Sequence, residues 1–208
     1  MARILITSGP TRQFIDPVRY ISNGSSGRMG CALAAAAIGA GHEVVVVSGP
    51  VNVVYPAEAE VIHVISTEEM LEASLKVFGD CDGLIGVAAP CDYRPIRIAT
   101  EKIAKIGDTL DLKLIETPDI IAALNEIKEL QWMVAFALET ADGHLRAMQK
   151  LERKKCDLIV LNGPESMFSK NTRVEVIAAD GQVLAELTGN KTEVAVGLLA
   201  IIQERLIK

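Results

Sequence analysis

The sequence predicts an α/β fold with a doubly wound, mostly parallel sheet, and three observations carry that expectation. Half of its 208 residues are apolar while only 4% are aromatic, so Ala, Val, Ile and Leu must fill the interior, as they do in a parallel sheet under helices. Short β-rich runs alternate with Ala-rich or capped helical stretches along the chain. Asp180-Gly181, set between two apolar runs, is a strong signal for an added antiparallel hairpin.

Arg3 to Thr7 reads as the first, central strand, stopped by Gly9 and Pro10. Thr11 to Ser25 is polar, broken by Pro17, and reads as a loop; Gly27 to Ile38 is an Ala-rich helix ended by Gly39 and Gly41. His42 to Ser48 and Val61 to Ile65 are the next buried strands. Ser66 and Glu69 form a capping box for a helix reaching about Phe78. Gly83 to Ala88 is a fourth strand. Pro90 to Gly107, with Pro95 and the basic residues Arg94, Arg97, Lys102 and Lys105, reads as a long mobile loop. Leu110 to Ile115 alternates like an exposed strand, and Thr117-Pro118 opens a helix to about Glu129 with Pro at its first position. Met133 to Leu138 is a strand, Gly143 to Lys155 a helix with cations in its last turn, and Leu158 to Leu161 a short apolar strand. Val174 to Ala178 and Val183 to Leu187 flank the hairpin turn, and Asn190 with Glu193 caps a final helix. Right-handed crossovers then give one Rossmann-like domain over residues 1–208, with helices on both faces of the sheet and the antiparallel hairpin added. Ligands of such sheets bind beyond the carboxyl ends of the strands. That rule selects Ser8 to Gly30, Ala88 to Lys105 and Asn162 to Asn171 as functional loops.

The net charge of -6 argues against broad nucleic-acid binding or attraction to an anionic membrane, so an anionic ligand needs a local basic pocket. Cys31, Cys81, Cys91 and Cys156 are scattered without a CxxC pair, which indicates neither zinc nor a disulfide framework. No apolar run is long enough to span a bilayer and residues 1–8 read as a strand; a soluble, cytoplasmic protein is expected. His42, His63 and His144 have neither metal-ligand spacing nor evident partners and read as surface or strand-edge residues.

Gly24-Ser25-Ser26-Gly27-Arg28-Met29-Gly30 opens a helix with small residues, leaving backbone N–H groups accessible to an anion. An ordinary Gly/Ser helix start reads equally well from these residues alone. The dinucleotide fingerprint is absent, because about fifteen residues separate this stretch from the first strand. The basic loop from Asp92 to Lys105 suits a triphosphate, or simply solvent, and Lys150 and Lys154 share one helix face.

From Ile15-Asp16-Pro17-Val18-Arg19-Tyr20-Ile21-Ser22-Asn23 through Gly30 the sequence resembles the opening motif of bacterial phosphopantothenoylcysteine synthetases. The likeness continues at Val47 to Val51, Ala88-Ala89 with Asp92-Tyr93-Arg94, Glu101-Lys102-Ile103, Thr117 to Ile120, Glu139-Thr140, and Lys154 with Asp157 to Ile159. The resemblance implies a ligase of coenzyme A biosynthesis that activates 4'-phosphopantothenate with CTP and Mg²⁺ as an acyl-cytidylate, which cysteine then captures. By the same resemblance Lys102, on a flap, forms the acyl-nucleotide and Asn23 holds it. Nucleotide contacts fall on Gly86, Val87, Ala88, Asp92, Lys102, Pro118, Asp119, Ile120, Ile121, Phe136, Lys150 and Lys154. Substrate contacts fall on Asn23, Ser25, Ser26, Gly27 and Ala89, and Arg19 is assigned either to the substrate or to a homodimer contact. A stand-alone synthetase or an excised domain follows, with a flavin-dependent decarboxylase as a separate partner. Ala104, Leu138 and Asn162-Gly163-Pro164 depart from the family pattern and leave the choice between CTP and ATP open. A nucleotide-binding protein without turnover and an NAD(P)-dependent short-chain oxidoreductase are the rival readings.

Overall fold

Period-two alternation of apolar side chains decides which helices cover which face of the sheet. The computed structural model describes residues 1–105, 107–138, 143–163 and 171–207. Its main sheet is formed by β1 (Arg3–Ser8), β4 (Glu43–Ser48), β5 (Glu60–His63), β6 (Gly83–Gly86), β9 (Trp132–Leu138), β10 (Leu158–Asn162), β11 (Asn171–Ala178) and β12 (Val183–Asn190). Their order is β12-β11-β10-β9-β6-β1-β4-β5, parallel from β10 to β5 and antiparallel at the hairpin end. This is the doubly wound, Rossmann-like α/β architecture with its added hairpin.

In β1, Ile4 and Ile6 face one way and pack with Leu33, Ala34 and Ala37 of α1 (Arg28–Gly39) and Val194, Leu198 and Ile202 of α5 (Lys191–Leu206). Leu5 faces the other way, toward Met70 and Phe78 of α2 (Thr67–Phe78) and Ile120 and Leu124 of α3 (Ile120–Glu126). Ala147 and Leu151 of α4 (Gly143–Lys154) cover Ala137, Ile159 and Ile177. Strand side chains alternate between faces, so a run buried at every position needs helices on both sides.

Several elements depart from the sequence reading. The polar stretch from Thr11 to Ser25 holds a small hairpin, β2 (Arg12–Phe14) against β3 (Tyr20–Ser22). It is held by an edge-on Phe14–Tyr20 contact at 5.6 Å and by the Arg12 guanidinium 4.5 Å above the Tyr20 ring. The loop after β6 contains β7 (Tyr93–Pro95), paired antiparallel with β8 (Leu114–Glu116). Pro118 is not the first residue of a helix: Asp119 is the N-cap of α3, its side chain accepting from Ala122 N–H, because a carboxylate satisfies an orphan amide. At α2 Ser66 accepts from Glu69 N–H, but Glu69 reaches back to Ile65 N–H, one residue before the cap. At α5 the Asn190–Glu193 capping box is complete.

His42 is not a surface residue. It is buried, its Nδ1 accepts from Ala2 N–H at 3.1 Å, and its Nε2 lies 3.1 Å from Gln203 Nε2. His144, likewise, has a partner in Glu175 at 2.5 Å. Burial, and then the N-terminal charge, lower the pKa of His42 below its ordinary value. The fold therefore favours the neutral ring, and the unfolded chain takes up the proton first. The contribution is complete above the ordinary value of 6.5 and is lost as pH falls below it through the lower folded value. Between about pH 7.5 and 5.5 the urea midpoint of the wild type should fall more than that of His42→Asn, whose amide oxygen can still accept from Ala2. Equal falls would remove His42 as the cause.

Candidate active site

From β1 the sheet extends one way through β4 and β5 and the other way through β6, β9 and β10. A crevice opens beyond the carboxyl ends of β1 and β6, where the direction of winding reverses. Two cavities occupy this region.

The smaller, of about 490 Å³, lies between the start of α1 and the segment after β6. Gly27, the α1 N-cap, has φ +72 and would place a Cβ 2.8 Å from Val51 Cγ1, so only glycine fits without strain. Gly30 approaches β1 so closely that a Cβ would stand 2.1 Å from Ser8 Oγ. No side chain caps α1, unlike α2, α3 and α5, and no acidic residue sits in its first turn, unlike α2 and α5. Its first amides and helix dipole thus favour an anion in the cavity. Arg28 and Lys191 line the same space; burial, and then the Arg28 charge, lower the pKa of Lys191. Asn23 Nδ2 donates to Pro90 O at 2.8 Å and to Ala89 O at 3.4 Å, joining the two banks of the crevice.

The larger cavity, of about 760 Å³, lies beyond β6 and β9 against α3 and α4. Lys150 Nζ donates to Phe136 O at 2.8 Å. The buried Lys154 is 2.8 Å from Asp119 Oδ1, and Arg153 is 3.9 Å from Asp119 Oδ2. Burial alone would raise the Asp119 pKa, but the hydrogen bond and charge of Lys154 outweigh it and hold the carboxyl below its ordinary range. Lys150, Arg153 and Lys154 bring three cationic groups of α4 to a cavity also lined by Asp92, Glu116 and Asp119, so a polyanion would find its donors on α4. Ala88, Pro90, Asp92, Phe136 and Lys150 line both cavities, which therefore meet along one seam.

Ten of the twelve nucleotide positions expected from the sequence line the larger cavity; Val87 lines the smaller one instead, and Lys102 lines neither. Asn23, Ser25, Ser26, Gly27 and Ala89 line the smaller cavity. Arg19 lines neither and is engaged by Asp16 and by Ile103 O. Glu139-Thr140 and the segment 164–170, both expected near the site, lie outside the described residues. Sequence reasoning assigned no role to Arg28, Arg153 or Lys191. Arg28 stood within the Gly/Ser motif, whereas nothing near Lys191 in the chain links it to a strand-end site. Burial raises the pKa of all four thiols, that of Cys156 to about 11, so none is an activated nucleophile. The described residues gather no cluster of three His, Cys, Asp or Glu ligands, and no helix among them is long and apolar enough to cross a membrane.

Residues 1–206 match the profile of the DNA/pantothenate metabolism flavoprotein C-terminal domain. The sequence is 41% identical over 209 residues to the coenzyme A biosynthesis bifunctional protein CoaBC of Haemophilus influenzae, covering 99% of this chain and 52% of that protein. The chain spans about half the length of the curated relatives it matches. The crystal structure of the C-terminal domain of a CoaBC superposes with a TM-score of 0.84 at 37% identity, covering 98% of this chain and 95% of that one. A Cab2 mutant in complex with phosphopantothenate-cysteine shares the fold, with a TM-score of 0.77 at 16% identity over 99% of this chain and 87% of that one.

Proposed function

The chain belongs to the DNA/pantothenate metabolism flavoprotein C-terminal domain family, and on that premise we propose that it ligates 4'-phosphopantothenate to cysteine in coenzyme A biosynthesis. The acid's carboxylate attacks the α-phosphate of CTP, expelling pyrophosphate and leaving an acyl-cytidylate. The amine of cysteine then attacks the acyl carbon, loses a proton and expels CMP. Activation is needed because a bare carboxylate would have to expel an oxide. The observation that carries this reading is the seam: an anion cradle and the cavity that holds the α4 cations share Ala88, Pro90, Asp92, Phe136 and Lys150, so a carboxylate held in one would face a triphosphate held in the other.

The phosphate of the acid is assigned to the α1 amides, Ser25, Ser26, Arg28 and Lys191, and the triphosphate to Lys150, Arg153 and Lys154. Lys102 is assigned to charge developing at the α-phosphate, its exposed and flexible side chain reaching over the seam from the backbone that carries it. Mg²⁺ fits beside the triphosphate: the carboxylates of Asp92 and Glu116, which line the same cavity, would hold it, and it would neutralise charge as pyrophosphate leaves. A cytoplasmic setting and a separate flavin-dependent decarboxylase acting on the product belong to this reading.

A homodimer also belongs to it. Val18, Tyr20, Tyr93, Ile96, Ile98 and Leu110 are each at least 42% exposed on or beside the two small hairpins, an apolar surface suited to a second copy. The test is pyrophosphate release with the acid and cysteine, comparing CTP with ATP, on material sized by sedimentation velocity. Release that depends on both the acid and a nucleotide is expected, from a dimer. Nucleotide binding without release would point instead to a binding protein, and sedimentation as monomer alone would remove the dimer.

A further inference from the structure

Asp16 is 0% exposed although it carries a charge and sits between Ile15 and Pro17 at a hairpin end. A buried carboxylate is stable only when its oxygens are filled with donors, and both are. Oδ1 accepts from Val18 N–H and Arg19 N–H at 2.8 Å each, closing the turn of its own hairpin. Oδ2 faces elsewhere, accepting from Arg19 Nε at 2.9 Å and, across 87 positions, from Ile103 N–H at 3.1 Å. Arg19 completes the link by donating to Ile103 O at 2.5 Å. Burial would raise the pKa of this carboxyl, yet the three amides and the guanidinium hold it at about 2. Ala99 N–H donates to Ile15 O at 2.9 Å, so the same turn grips the basic segment twice.

The amide that Asp16 holds belongs to the peptide bond joining Lys102 to Ile103. Lys102 itself is exposed, and a long flexible side chain at an exposed site is located chiefly by its backbone. We propose that Asp16, acting with Arg19, is the positioning residue for Lys102, fixing the backbone from which that lysine reaches the reacting phosphate. The proposal rests on the ligase reading and extends it. It divides the Asp16 carboxylate into a structural oxygen, which shapes the hairpin, and a functional one, which sets the flap. It also gives Arg19 a role without substrate contact.

The division makes Asp16→Asn a selective probe. An amide can accept on one side only, so its oxygen is expected to keep the Val18 and Arg19 amides while its NH₂ meets the donors of Ile103 and Arg19 Nε. The Ile103 amide should then exchange with solvent about 10-fold faster or more. Misplacing a catalytic group by about 1 Å is a 10²-fold effect, so single-turnover pyrophosphate release should slow by about 10-fold or more with little change in nucleotide KM. Coupling decides the case: in the Lys102→Gln background, Asp16→Asn should slow release no further. The proposal is overturned if the two losses multiply, if release keeps the wild-type rate, or if Ile103 exchange is unchanged. A wild-type rate in Lys102→Gln alone would instead remove the assignment of Lys102. Should Asp16→Asn not fold, Arg19→Gln, which cuts the tie to Ile103 O, is read by the same three criteria.

Discussion

Replacing Lys102 by Gln should lower the rate of acyl-nucleotide formation by about 100-fold or more, the usual loss when one preorganised charge is removed from a transition state. Little intermediate should accumulate. Asn23→Asp should behave differently, because the Asn23 amide spends its two N–H donors on Pro90 O and Ala89 O. A carboxylate has no donor for those carbonyls, so the link across the crevice breaks and a negative charge stands near the acyl-phosphate. Capture by cysteine should suffer more than activation, and the acyl-cytidylate should become detectable. A quenched single-turnover reaction with labelled CTP resolves the intermediate from CMP. Lys102→Gln forming the intermediate at the wild-type rate, or normal turnover by Asn23→Asp, would show the two roles to be wrong.

Gly30→Ala should damage the anion cradle more than so small a change suggests. The new Cβ would lie 2.1 Å from Ser8 Oγ and 2.6 Å from Ser8 Cβ. Ser8 cannot yield freely: it is fully buried in β1, and Tyr55 O–H donates to its Oγ at 2.8 Å. Helix α1 must therefore back away from the sheet, an overpacking cost of about 1–3 kcal/mol, carrying its N-terminal amides with it. KM for the phosphorylated acid should rise about 10-fold or more, while KM for the nucleotide, assigned above to the far side of the seam, should change little. Ser8→Gly removes both clashing atoms and should recover much of the loss in the double variant. If both KM values move together, or Ser8→Gly brings no recovery, the clash is not the cause.

Much of the scaffold was legible because its signals are local. Asn190 and Glu193, three apart, specify their cap without help from the rest of the chain, and Asp180-Gly181 specifies its turn. The continuous burial of β1 could be read from its short apolar run, Ile4-Leu5-Ile6. The Gly/Ser start of α1 and the cations of α4 were likewise visible as candidate anion sites, though not as neighbours of one seam. What escaped depends on distant pairing. Strand β7 exists only because Tyr93 meets Glu116. Phe14 and Tyr20 were too few to mark a hairpin in a polar stretch, and His42 finds its partners at Ala2 and Gln203. Asp16 gave no sign that its second oxygen belongs to Ile103. Lys191 joined the site only because α5 returns beside α1.

That return also bears on how the molecule comes to be folded. Leu33, Ala34 and Ala37 of α1 are packed by Val194, Leu198 and Ile202 of α5, partners about 160 positions away in a helix that follows every strand of the sheet. Closing so long a loop is entropically costly and slow compared with forming any one crossover. On a ribosome, the early strands and α1 would emerge well before the helix that braces them, leaving the apolar stripe of α1 without its cover in the meantime. The anion cradle thus draws its loop and amides from the early sequence and Lys191 from the last helix, and would be complete only once α5 has docked.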